Sequence, residues 1–143
     1  MTLAGLYSAS SRAEDASRDA AFALWTHAAI SRYEYGYNKY CECHPVDPPE
    51  TVVTVADNTV IGVRHIRSDT ERAVPAQERN FEFYWTIDEL FELIETAEAR
   101  GAVVRAEYDH EIGYPTSVYI DYSSTLIGDE IDVRVTRFAA AGP

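Results

Sequence analysis

Basic residues are scarce in this chain: 12 lysines and arginines stand against 24 aspartates and glutamates, a formal net charge of −12. DNA, RNA and anionic membrane surfaces are held by clustered Lys and Arg, so this balance argues against all three and leaves a basic partner, or cations, as the complementary class. Long apolar runs are missing too; none reaches the length of a bilayer span. Seven thinly spread glycines leave no place for a phosphate-cradling loop, and no Walker motif occurs. Neither Ser117 nor Ser123 sits in a Gly-x-Ser-x-Gly elbow, so nucleophilic serine chemistry finds no support. The first residues, Met1 to Ser11, hold no basic n-region and no adequate apolar h-region, so no secretory signal is legible in them.

What is present is ordinary for one soluble globular domain: 143 residues, 46% hydrophobic and 25% charged, enough chain to bury a core without metal or disulfide support. Ten tyrosines is a high count. They fall in strand-like stretches, where an aromatic ring fits a half-buried pleated face, so core and sheet surface come before recognition as their role.

Residues 1–10 read as a loose lead-in, 11–138 as a single α+β domain and 139–143 as a tail. Ser11-Arg12-Ala13-Glu14 has capping-box spacing, and Ala20, Leu24, Trp25, Ala28 and Ala29 recur at helical intervals, which predicts a helix to about Ser31. His27 reads as a satisfied or exposed helix histidine. Tyr33, Tyr35 and Tyr37 alternate with Glu34, Gly36 and Asn38 as a strand. Val52 to Ala56 and Thr59 to Ile66 flank Asp57-Asn58, a two-residue hairpin. Arg67 to Arg79 reads as an irregular polar loop, and Asn80 to Trp85 as an extended aromatic segment over the core. Thr86-Ile87-Asp88-Glu89 is a second capping box; Ile87, Leu90, Phe91, Leu93, Ile94 and Ala97 form the stripe of the helix it opens, and Gly101 closes that helix. Asp129 to Phe138 ends the fold, with Ile131, Val133 and Val135 on one face and Asp132, Arg134 and Thr136 on the other. The predicted order is α-β-β-β-α-β-β-β: an antiparallel sheet of about six strands with two helices on one face.

Side-chain chemistry is densest between Tyr108 and Asp121. Val104, Ala106 and Tyr108 alternate with Arg105, Glu107 and Asp109; Gly113 and Pro115 supply a turn, and alternation resumes at Val118 and Ile120. Hairpin chemistry explains the Gly and Pro. The rigid aromatic tip makes Tyr114, with Tyr119, Trp85, Asp109 and Asp121, the candidate binding set. Asp109 and Asp121 could instead pair for acid–base work beside His110. Asp109, Glu111, Asp121, Asp129 and Glu130 could gather at one sheet edge as oxygen donors, although their spacing is not that of an EF-hand. More simply, such residues cap turns or stay solvated.

Cys41 and Cys43 are the only cysteines. They admit a local disulfide in a small strained ring, a pair of free thiols, or, with His44, a soft-ligand set for zinc or copper. Adjacent ligands alone rarely close a tetrahedral site, and no second Cys-x-x-Cys or His pair follows.

Trp25, Tyr33-Glu34-Tyr35, Cys41-x-Cys43, Thr86 to Phe91 with Leu93-Ile94, Tyr108-Asp109, Gly113 to Ser117, and Ile120-Asp121-Tyr122 through Asp129-Glu130 together resemble a bacterial family catalogued only as a domain of unknown function, number 6174. The likeness covers about Leu24 to Phe138. Here Glu42 stands where an aromatic is usual between the cysteines, and Asn58 replaces the usual turn glycine. Members look like small secreted proteins or lipoproteins, often actinobacterial, with no assigned activity. The resemblance thus implies an envelope or extracellular setting, while the absence of a visible signal leaves a cytoplasmic one open. The expected function is a non-enzymatic, cofactor-free binding or interaction module, with another protein as its candidate partner. The alternative is a small metal-binding or redox protein using Cys41, Cys43 and His44.

Overall fold

The alternating tyrosines build the strand at the centre of the sheet: β1, Arg32–Tyr40. In the computed structural model, residues 17–40, 50–67, 72–75, 78–123 and 130–141 are described. Helix α1 covers residues 17–28. After β1 come β2 (Thr51–Ala56), β3 (Thr59–Arg67), β4 (Arg72–Pro75), a 3-10 helix (Glu78–Phe83), α2 (Ile87–Ala99), β5 (Val103–Tyr108), β6 (Pro115–Asp121) and β7 (Glu130–Ala140). All neighbours pair antiparallel, in the spatial order β4-β3-β2-β1-β7-β6-β5. Two meanders are therefore joined at the β1–β7 seam, with α2 carrying the chain from one to the other. The fold is α+β in the predicted order, with the short β4 added at one edge.

Five local rules account for most of this. Asp57 and Asn58 adopt φ 49° and 56°, as a two-residue hairpin requires. Thr86 caps α2: its hydroxyl accepts the Glu89 amide at 3.1 Å, and the Glu89 carboxylate accepts the Thr86 amide at 3.0 Å. Asn58 contributes something a turn glycine cannot, accepting the Thr86 hydroxyl at 2.5 Å. At the far end Gly101, at φ 79°, lets its amide reach Glu98 O and the next amide, Ala102, reach Ala97 O, a Schellman closure. The helix stripe Ile87, Leu90, Phe91, Ile94 and Ala97 is buried against the sheet.

The core lies between the helices and one sheet face, where Tyr33, Tyr35, Tyr37, Val53, Val55, Val118, Ile120, Val133 and Val135 all point. The tyrosines do more than fill it. Tyr33 Oη accepts the Ile87 amide at 2.8 Å, satisfying one of the free N–H groups at the start of α2, and the Tyr35 hydroxyl donates to the Trp85 carbonyl. Trp25 of α1 donates its indole N–H to Asp88 at 2.6 Å.

Four expectations need correcting. Chain segment Arg67 to Arg79 contributes β4, because β3 offers it a free ladder edge. The segment Asn80 to Trp85 is not extended: residues to Phe83 are 3-10 helical, with Phe83 67% exposed. The buried face of α1 is Ala21 and Trp25, while Ala20 and Ala29 are exposed and Leu24 is 42% exposed. Phe22 and Leu24 make that helix apolar around much of its girth, so its neighbours decide which side faces inward. Finally, β7 runs on to Ala140, past Phe138. Among the described residues α1 ends at Ala29, whose φ of 51° is left-handed; the capping box at Ser11 to Glu14 lies outside them.

Burial pushes the hydroxyls of Tyr33, Tyr35 and Tyr37 well above the ordinary value of 10.0. The unfolded chain ionises these phenols near 10.0 and the folded one resists, so their stabilising contribution is complete below that pH and is lost as pH rises through the folded values. Near-ultraviolet absorbance in an alkaline titration should therefore show three tyrosines silent until the protein unfolds, in a cooperative step above the ordinary tyrosine range.

Candidate functional site

Both helices lie on one side of the sheet, so the other side of β6 and β7 presents its alternate residues without a helix above them. On β6 the buried Val118 and Ile120 are inward, which turns Ser117, Tyr119 and Asp121 outward. The ladder sets Tyr119 opposite Asp132 and Asp121 opposite Glu130, with Arg105 of β5 opposite Tyr119 on its other flank. One phenol thus stands among three carboxylates and the Arg105 guanidinium, and Arg134 lies 3.8 Å from Asp132 on the same face. Its partial burial, together with the charges of Asp121, Glu130 and Asp132, pushes the Tyr119 hydroxyl above its ordinary value, and Arg105 pulls the other way. Asp121 also accepts the Ser123 amide at 3.1 Å, which fixes its carboxylate at the strand end. Tyr119 is half-buried and borders an open depression of about 660 Å³ that continues round β5.

The hairpin tip is a different kind of place. Asp109 Oδ2 accepts the amides of Glu111 and Ile112 at 3.1 and 2.9 Å, and the Asp109 amide donates to Tyr114 O at 2.9 Å. Gly113 has φ 85°, and a Cβ there would stand 2.1 Å from the Ala21 carbonyl of α1. The glycine is needed twice over, for its backbone angle and for the close approach of the helix. Tyr114 stacks on Phe138 at 4.4 Å between centroids, and Phe138 stacks in turn on Tyr33 at 5.3 Å. Burial first, then the Asp109 charge, pushes the Tyr114 hydroxyl up. Phe138 reaches this face through a β-bulge: β1 skips register between Glu34 and Gly36 while Arg137 takes φ 49°.

Of the predicted binding set, then, Tyr119 and Asp121 share a neighbourhood; Tyr114 and Asp109 are at the opposite end of β6 and Tyr114 faces the helices. Trp85 belongs to neither. Its carbonyl holds Tyr35, its ring lies near Tyr37 at 6.2 Å, and Lys39 Nζ sits 5.5 Å from the ring centroid. The seven residues of β6 separate Asp109 from Asp121 by about 20 Å at the usual strand rise. Each carboxylate accepts backbone N–H groups, so the two cannot act as an acid–base pair. The predicted acidic gathering at one edge is likewise split between the two ends of the hairpin; Asp129 lies outside the described residues. Among the described residues, no three His, Cys, Asp or Glu side chains come together to hold a metal ion. Cys41, Cys43 and His44 lie outside them. Asp132, Arg105 and Glu130 join the Tyr119 neighbourhood through strand pairing; the sequence had grouped Glu130 with Asp121 as possible oxygen donors, while Asp132 and Arg105 were marked only by their outward alternation.

If the tip is architecture, Gly113→Ala and Tyr114→Ala should each lower unfolding free energy by about 1–3 kcal/mol. Urea denaturation measures it; an unchanged midpoint for both would contradict the packing described.

The family model for a family of unknown function (DUF6174) matches residues 17–140. No curated protein and no solved structure matches the chain. With nearly all of the described domain inside the match, the chain belongs to the DUF6174 family.

Proposed function

We propose that this member of the DUF6174 family is a non-enzymatic interaction module of the cell envelope or secreted space, and that the outer face at Tyr119 takes a Lys- or Arg-rich segment of another protein. The observation that carries the reading is the cross-strand grouping of Tyr119 with Asp121, Glu130 and Asp132 on a face without a helix above it. Asp121 and Glu130 are directly paired across the ladder, with Asp132 beside them, so the carboxylates here outnumber the guanidinium groups of Arg105 and Arg134. A cationic side chain placed over this group meets net negative charge and gains cation–π contact with the phenol ring. The net charge of −12 adds long-range attraction for a basic segment. Tyrosine in such a setting supplies contact area at small entropic cost. The envelope setting rests on the likeness to small secreted proteins and lipoproteins, and fractionation of the native cells would check it.

Titration calorimetry with a Lys/Arg-rich peptide at low ionic strength, with amide shifts followed by NMR, tests the site. Binding should perturb β6 and β7 amides, weaken steeply with salt, and drop roughly tenfold or more in Tyr119→Ala and in the pair Asp121→Asn, Asp132→Asn. Shifts scattered over the whole surface, or equal affinity in these variants, would reduce the effect to bulk acidity.

A further inference from the structure

The two edges of the sheet are unlike. β4 is four residues long and ends in Pro75, which has no N–H to give a neighbour. β5 has six residues and no proline, and among the described residues it pairs only with β6. Five consecutive residues of β5, Val104 to Tyr108, line the 660 Å³ depression. Consecutive strand residues point to opposite faces, so a space touching all five runs along the side of the strand, where its unpaired N–H and C=O groups point. An open edge of this kind accepts another strand unless something guards it.

The charges on β5 are the usual guard, yet here they are self-complementary. Arg105 and Glu107 stand on the outer face, both exposed, and neither forms an ion pair among the described residues. We infer that β5 pairs antiparallel with β5 of a second copy of this chain, about a two-fold axis at Ala106, joining two sheets into one. In that register Arg105 of each copy lies opposite Glu107 of the other, while Val104 meets Tyr108 on the helix-covered face. The register is also one that a ladder permits. Outward-pointing backbone groups alternate along a strand, and a two-fold axis passing through a residue brings odd-numbered residues to odd and even to even. Identical chains each carrying −12 repel in general, so the local Arg–Glu match is what selects this edge over the rest of the surface. The inference uses the side of β5 and not the carboxylates around Tyr119; Arg105 borders both, so Glu107→Arg, which leaves Arg105 in place, is the variant that separates this inference from the peptide-binding reading.

Sedimentation equilibrium of the full chain, from low micromolar to near-millimolar concentration, decides it. The protein should form a reversible dimer. Arg105→Glu and Glu107→Arg should each weaken association roughly tenfold or more, because like charges then face each other, and the double reversal should restore it. Circular dichroism melts of the three variants should match the parent, since both side chains are exposed. As a second readout, Ala106→Cys should yield a covalent dimer under mild oxidation, linked at position 106 by peptide mapping, because paired Cα atoms lie within disulfide reach. A monomer at every concentration, a dimer indifferent to the single reversals, or a double reversal that fails to recover would overturn the proposal.

Discussion

The fold depends on how the start of α2 is seated on β1. A helix that begins inside a core carries free backbone N–H groups, and a buried one left unsatisfied costs about 1–3 kcal/mol. Here Tyr33 takes the Ile87 amide, Thr86 and Glu89 take each other's, and Asn58 from the β2–β3 turn holds the Thr86 hydroxyl. Trp25 brings α1 to the same spot through Asp88. Both helices, the central strand and the first hairpin therefore converge on one capped helix end. The phenol rings of β1 serve as apolar mass along their length and as hydrogen-bonding groups at their tips.

From that anchor the two faces of the sheet take separate roles. The inward face closes on α1 and α2, and the bulge at Arg137 adds Phe138 to it, completing a run of stacked rings from Tyr114 through Phe138 to Tyr33. The same bulge gives Arg137 to the other side, where its guanidinium lies 2.9 Å from Glu50. Glu50 in turn rests over Gly36, a position where a Cβ would stand 2.8 Å from its carboxylate. The outer face mixes polar residues with a few valines, Val52 and Val103 among them, and at Tyr119 it groups an aromatic ring with carboxylates.

Some elements were legible from residue types alone. The Thr86 box, the Asp57-Asn58 turn, Gly101 and the alternation in β1, β6 and β7 depend on conformations that neighbours along the chain impose, so spacing reveals them. Other elements were not. β4 has little strand character of its own and exists because β3 exposes a ladder beside it. The face of α1 was read wrongly because apolar residues surround that helix, and the contact that orients it comes from Gly113, 88 positions along from Trp25. Tyr114 and Tyr119 looked like neighbours on one tip because they are close in sequence; Tyr114 precedes the strand and tucks under α1, whereas Tyr119 lies within it and faces out.

Residue types and spacing were enough for the α+β class, the order of helices and strands, the two turns and the family likeness. Those follow from local sterics and capping, which need no knowledge of distant residues. The folded packing was needed to show which carboxylates stand together, that Asp109 and Asp121 are engaged at opposite ends of a strand, and which sheet edge has no strand beside it among the described residues. Those depend on register and on long-range pairing, where a shift of one residue exchanges the two faces of a strand.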